Sequence, residues 1–234
     1  GTFYGPNITP DSAFGIGEWS DEDFIRALRE GVSPDGAHYY PVFPYTSYTK
    51  ITDADLLDLK AYVFSLSPVS KPSRPHEVKL PFRFRPLLLL WKALHFTPGP
   101  FKPAPGKLVA LNRGAYLVEA LGHCAECHTP RTLTGGLDTG KWMAGTADGP
   151  DGELIPNVTP DVETGIGEWD LVDIVFALET GIKPDGDTFD SFMAEMVEDG
   201  TSHLTAADRR AIALYLHSLL PVHNKLEDKG KGGS

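Results

Sequence analysis

The chain has two cysteines in 234 residues, and both stand in Gly122-His123-Cys124-Ala125-Glu126-Cys127-His128. This C-x-x-C-H spacing sets two thiols roughly one helical turn apart, with an imidazole beside the second. Thioether bonds to the two vinyl groups of a haem need thiols at that separation, and the adjacent imidazole can reach the iron. Cys124 and Cys127 therefore read as covalent attachment points and His128 as the proximal iron ligand. A zinc site or a redox dithiol would use the same residue types. Zinc would want a second ligand pair, and no other cysteine exists to supply it. A dithiol of the thioredoxin kind would want a βαβ setting. Here the preceding Asn112 to Leu121 reads as a helix capped by Asn112, with Tyr116, Leu117, Ala120 and Leu121 on its buried side.

A second axial ligand has few applicants. Met193 and Met196 follow a Pro-Asp-Gly loop and precede the last helix, in a segment expected to be irregular and free to cross the opposite ring face. A thioether there would give His/Met coordination, which favours reduced iron. Met193 is preferred, with Met196 as packing and Met143 as core or loop filler. His203 and His123 are alternatives, otherwise surface residues or hydrogen-bond partners of propionates. Arg131, after the Thr-Pro turn, could pair a propionate or simply be solvated. Trp169 and Trp19 could wall their cavities with indole donors facing a propionate.

The elements that must position these groups occur twice. Asn7-Ile8-Thr9-Pro10-Asp11, Gly15-Ile16-Gly17-Glu18-Trp19 and Pro34-Asp35-Gly36 return as Asn157-Val158-Thr159-Pro160-Asp161, Gly165-Ile166-Gly167-Glu168-Trp169 and Pro184-Asp185-Gly186, each displaced by 150 residues. Residues 51–69 return at 204–222, displaced by 153, so copy two has three extra residues before its last helix. A constant displacement of this kind marks a duplicated domain. Ser20-x-x-Asp23 and Asp170-x-x-Asp173 open one helix in each copy, ended by Gly31 and Gly181. Thr52 and Thr205 open the closing helices, whose apolar stripes are Leu56, Leu59, Val63 and Leu66 in one and Ile212, Leu216 and Leu219 in the other. With no strand pattern between Gly/Pro/Asp loops, the fold class is all-α: two tandem domains of small helices wrapped round a flat cofactor. Residues 1–70 form a partial domain, 71–105 a proline-rich junction, and 106–234 a complete domain with the polar tail His223 to Ser234.

Copy one departs from copy two in two ways. Its equivalent of Cys124 would fall about 26 residues before Gly1, so the first domain lacks its haem-attachment segment, and the chain reads as a fragment of a longer protein or as a degenerate domain. Phe43 stands where copy two has Met193, and phenylalanine cannot bind iron. A haem in copy one would take another distal ligand, His38 being the nearest candidate, or leave that position open. The junction runs from Lys71-Pro72-Ser73-Arg74-Pro75 to the apolar Leu87 to Leu94 and closes at Pro98-Gly99-Pro100. Its basic residues Lys71, Arg74, Lys79, Arg83, Arg85 and Lys92 could balance haem propionates or a partner's acidic patch.

A formal net charge of -11 argues against nucleic acid and anionic membrane surfaces as partners. No run approaches the roughly 18 apolar residues that cross a bilayer, and no signal peptide is visible at Gly1, so the chain reads as processed or cut.

With these residues in place the whole chain resembles the multihaem cytochrome c subunits of periplasmic bacterial dehydrogenases, such as the alcohol, gluconate and aldehyde oxidising complexes. The likeness runs through Asn112-Arg113-Gly114-Ala115-Tyr116-Leu117-Val118, Gly122 to Arg131, the Pro-Asn-(Ile/Val)-Thr-Pro-Asp and Gly-Ile-Gly-Glu-Trp motifs, and the junction from Arg85-Pro86 to Phe101. It implies an electron carrier with haem c, one covalent in this chain and a second in the intact precursor. The resemblance further implies a catalytic dehydrogenase subunit as donor, quinone or another cytochrome as acceptor, and a periplasmic location with any membrane association made through a partner. Six-coordinate iron leaves no position for substrate, so no catalysis of its own is expected. Two other classes remain: a dihaem enzyme, peroxidase-like or thiosulfate-oxidising, with the first haem as its open site, and an assembly role in which copy one is only a docking module.

Overall fold

A computed structural model describes residues 1–227. The expected tail, His223 to Ser234, lies outside the described residues from position 228 onward. Two compact units are present, one of residues 1–101 and one from Lys102 onward. Among the described residues the regular structure is helical, and the only β pairings are isolated bridges.

The first unit holds α1 (Asp21–Glu30), α2 (Tyr45–Tyr48), α3 (Asp53–Ser65) and α4 (Pro86–His95). Ser20 and Asp23 form the capping box of α1, and Thr52 caps α3. Gly31 ends α1 at φ 62°, where a Cβ would also sit 2.5 Å from the buried Tyr45 ring, so only glycine serves both demands. The second unit holds α5 (Val109–Tyr116), a π-helical turn (Leu117–Leu121), α6 (Ala125–His128), α7 (Leu171–Thr180), α8 (Ser191–Glu198) and α9 (Ala206–His217).

The repeat survives at the level of single hydrogen bonds. Asn7 Nδ2 donates to the Val69 carbonyl at 2.7 Å and Asn157 Nδ2 to the Val222 carbonyl at 2.8 Å. In each copy the asparagine Oδ1 accepts from the backbone N–H of Thr9 or Thr159, and the Ile16 or Ile166 N–H donates to that threonine's carbonyl. The bridges Val32 to His38 and Ile182 to Thr188 are likewise equivalent. The three extra residues of copy two fold into the 3-10 turn Thr201–His203, whose carbonyls accept from the buried Arg209 of α9.

Four local expectations are corrected. Asn112 is not a cap: α5 begins at Val109, and the Asn112 side chain exchanges hydrogen bonds with the Ala104 backbone. Leu121 is exposed, because the widened π turn carries one more residue than an α turn and rotates the chain before Gly122. Leu59 and Leu66 of the α3 stripe are exposed too. Leu59 is the counterpart of Ile212, which is buried on α9, the helix that packs against α5, and the first unit has no described helix in the place of α5.

The fourth concerns the junction. The apolar run 87–94 lies within the first unit as α4, and Lys92 turns inward to donate to the carbonyls of Glu30 at 2.5 Å and Gly31 at 2.9 Å. It thus caps the C-terminus of α1, with its ammonium 4.5 Å from the Tyr45 ring centre. Burial lowers its pKa from 10.5 to about 8. Between those values the unfolded chain holds the extra proton, so this group's contribution to stability rises as pH climbs through that window. Titrating unfolding free energy against pH should therefore show a steeper rise in the parent than in Lys92→Met, by up to about 3 kcal/mol across the window. Equal slopes would mean that the buried ammonium keeps its ordinary affinity for protons.

Candidate haem site

The motif residues are placed by the end of the α5 rod. Its π turn closes with Gly122 N–H on the Leu117 carbonyl at 2.7 Å and Cys124 N–H on the Val118 carbonyl at 3.0 Å. Cys124 then opens the single-turn α6, and its carbonyl accepts from His128 N–H at 2.9 Å. Both cysteines are half-buried on one helical turn, and they form no disulfide with each other. Burial pushes the Cys124 thiol up to about 11 and raises that of Cys127. Among the described residues no three His, Cys, Asp or Glu side chains cluster in a way that would hold a metal ion by themselves.

His128 is held in a defined orientation. Its Nδ1 lies 2.8 Å from the carbonyl of Pro156. A carbonyl can only accept, so Nδ1 carries the proton and the lone pair of the neutral ring sits on Nε2. Burial lowers the imidazole pKa and keeps the ring neutral, as iron ligation requires. Pro156 is in turn fixed by Asn157, which is 2 % exposed and ties this loop to the segment after α9. Residue types alone do not reveal the part Pro156 plays in orienting His128. The signal was present, since Pro6-Asn7 recurs as Pro156-Asn157, but a backbone acceptor leaves no trace in side-chain chemistry.

The other named residues fall as follows. Met193 is half-buried and packs against the core cluster of Leu117, Val118, Met143 and Ile166, as do Cys124 and Trp169. It does not lie in an irregular segment: it is on the first turn of α8, entered through Ser191 at φ 50°. Met196, one turn further, is 43 % exposed, while Met143 is 1 % exposed and belongs to the core. Arg131 pairs with the Glu126 carboxylate, which occupies the guanidinium considered for a propionate. The carbonyl of Trp169 accepts from His217 Nε2 at 2.7 Å. His203 is an exposed residue of a 3-10 turn, and His123 sits at φ 39° between the π turn and α6. A half-buried brace lies behind the motif: Tyr215 on α9 donates to Glu119 at 2.6 Å, joining the last helix to the π turn.

No protein-family model matches the chain. Individual relatives do. A dihaem c-type cytochrome of Cereibacter sphaeroides is 45% identical over 218 residues, covering 92% of this chain and 71% of its own length. The chain belongs to the c-type cytochromes. Its cofactor is accordingly haem c and its function electron transfer. This cytochrome is also 37% identical to the gluconate 2-dehydrogenase cytochrome c subunit of Pantoea cypripedii, and 36% identical to the cytochrome c subunit of the quinone-dependent alcohol dehydrogenase of Gluconobacter oxydans. The matches take in 94% and 95% of the chain, which spans about half the length of those two relatives (51% and 48%). No helix among the described residues of the cytochrome is long and apolar enough to cross a membrane.

Proposed function

We propose that the cytochrome holds one haem c on Cys124 and Cys127, that His128 and Met193 are the residues that would ligate its iron, and that it carries electrons from a partner dehydrogenase to quinone or to another cytochrome in the periplasm. The observation that carries the reading is the His128 to Pro156 hydrogen bond, which presents Nε2 from the same turn that presents both thiols. When bound, haem c supplies a one-electron iron couple. The protein's part is to hold and screen it. Tying Nδ1–H to a carbonyl raises the basicity of the imidazole as a ligand. The thioether of Met193, on α8, would favour the ferrous form as a ligand and so a higher potential. Trp169 and Val158, packed on the same core, would offer the cofactor apolar surface.

Names of the relatives favour a carrier: several are cytochrome subunits of dehydrogenases for gluconate, fructose and alcohol, so substrate chemistry falls to the partner. Phe43 alone supports an open first haem, and in the structure it packs edge-on against Tyr39 and Tyr48 at 5.4 and 5.7 Å. The acidic surface of the chain suits a donor or acceptor with a basic docking patch.

A denaturing gel stained for haem peroxidase activity tests the attachment. The parent should stain at the mass of the chain and the Cys124→Ala, Cys127→Ala double variant should not. An unstained parent, matured in a host that attaches haem c, would refute the assignment.

A further inference from the structure

We propose that a cavity on the first unit is a carboxylate site, and that it receives the propionates of a haem held by the first copy. The inference rests on reading copy one as a haem domain, and goes beyond it by assigning residues that no comparison names.

The cavity measures about 390 Å³ and is lined by Tyr4, Tyr40, His76, Arg74, Arg83 and Arg85 among others. Three guanidinium groups thus converge on one hollow in a chain whose net charge is -11. Two of them sit beside aromatic rings: Arg74 Cζ lies 3.9 Å from the centre of Tyr4 and Arg85 Cζ 5.5 Å from that of Tyr40, and Arg85 Nη1 also donates to the His38 carbonyl at 2.6 Å. A guanidinium placed by a ring or a carbonyl keeps further N–H groups, and these can bond a carboxylate in its plane. The third, Arg83, has no side-chain hydrogen bond or ion pair among the described residues. Near Arg74 the carboxylate already present is Glu77, at 3.7 Å, and it also accepts from the Tyr4 hydroxyl. Charge in the cavity is therefore unbalanced toward the positive. Ring surface from Tyr4, Tyr40 and His76 and the prolines Pro6 and Pro75 lies beside the arginines, a lining that suits a planar ligand carrying carboxylates.

The internal repeat points to the source. Pro6, which also lines the cavity, is the counterpart of Pro156, the residue that holds the proximal histidine of copy two. Tyr40 is the counterpart of Asp190, which leads into the helix bearing Met193. Loops from the two sides of the site meet in both copies. In copy two Ser191 Oγ donates to Glu153 at 2.8 Å, and in copy one the equivalent stretches meet as Phe3 against Tyr40, ring centres 5.3 Å apart. The arginine cavity thus lies where the proximal and distal loops of the first copy come together.

The test titrates the 234-residue chain with zinc protoporphyrin IX, followed by porphyrin fluorescence. Zinc protoporphyrin dimethyl ester and benzoate serve as comparison ligands. The acid porphyrin should bind, its ester at least tenfold more weakly, and the Arg83→Gln, Arg85→Gln double variant should lose binding by at least tenfold. All three arginines are exposed, and Arg83→Gln alone, which breaks no side-chain bond, should weaken binding in the same direction with unchanged helical circular dichroism. Equal binding of acid and ester, binding indifferent to the arginines, or no binding of the acid would overturn the proposal. Benzoate bound with the same arginine dependence while the porphyrin is refused would overturn the haem assignment, marking a site for free carboxylates. Haem staining at Cys124 and Cys127, read on the same samples, reports the second copy separately.

Discussion

Replacing Met193 by alanine should open the haem of the second copy to carbon monoxide and cyanide and abolish the sulfur-to-iron charge-transfer band. Met196→Ala should leave both unchanged. The distinction follows from where the two thioethers sit. Met193 is half-buried against the core that also receives Cys124 and Trp169, whereas Met196 is exposed one turn along α8. A sulfur is a weak axial ligand that must be held in place by packing, and only the first of the two is held. Met193→His should lower the midpoint potential, since nitrogen stabilises ferric iron more than sulfur does. If Met196→Ala alone removed the band, α8 would have to turn by about 60° from its present face, three residues at roughly 100° each having moved the ligand round the helix.

The largest loss of stability is expected from Gly114→Ala. Helices α5 and α9 cross at this residue, and a Cβ added there would lie 1.9 Å from the Ala211 carbonyl oxygen and 2.9 Å from Tyr215 Cβ. The nearest obstacles are backbone, so relief requires the helices to part, at a cost of about 3 kcal/mol. Parting them also strains the Tyr215 to Glu119 bond behind the π turn and with it the position of Cys124. Chemical denaturation should show the loss. Gly5→Ala, a site with nothing within 4 Å of the added carbon, should be close to neutral. A Gly114→Ala variant as stable as the parent would mean that the crossing is looser than described.

How much of this was legible beforehand depended on whether the signal was carried by side-chain type. The duplication with its three extra residues, the capping boxes at Ser20 and Asp170 and the threonine caps at Thr52 and Thr205 are all local chemistry, and each is found at its expected place. What depended on packing partners was not legible. Lys92 reads as one of a basic group until α4 folds against α1 and its ammonium meets two helix-end carbonyls. Leu59 reads as core because its spacing matches Ile212, yet burial needs a second helix, and spacing on one helix cannot report that the other is there. Leu121 failed for a third reason: a π turn breaks the 3.6 periodicity on which the assignment relied. Met193 stands between a loop and the last helix in the sequence, and the helix that carries it is hard to read there: Asp190 holds the N-cap position without making a capping bond, and α8 is only eight residues long.

The central claim is that both thiols are consumed by one haem. Mass measurement of the denatured chain after treatment with a thiol-alkylating reagent tests it directly. A chain carrying one haem, with neither Cys124 nor Cys127 alkylated and the added mass mapped to the peptide between them and His128, is the predicted result. Two alkylated cysteines on a chain of unmodified mass, from a host competent to attach haem c, would contradict it.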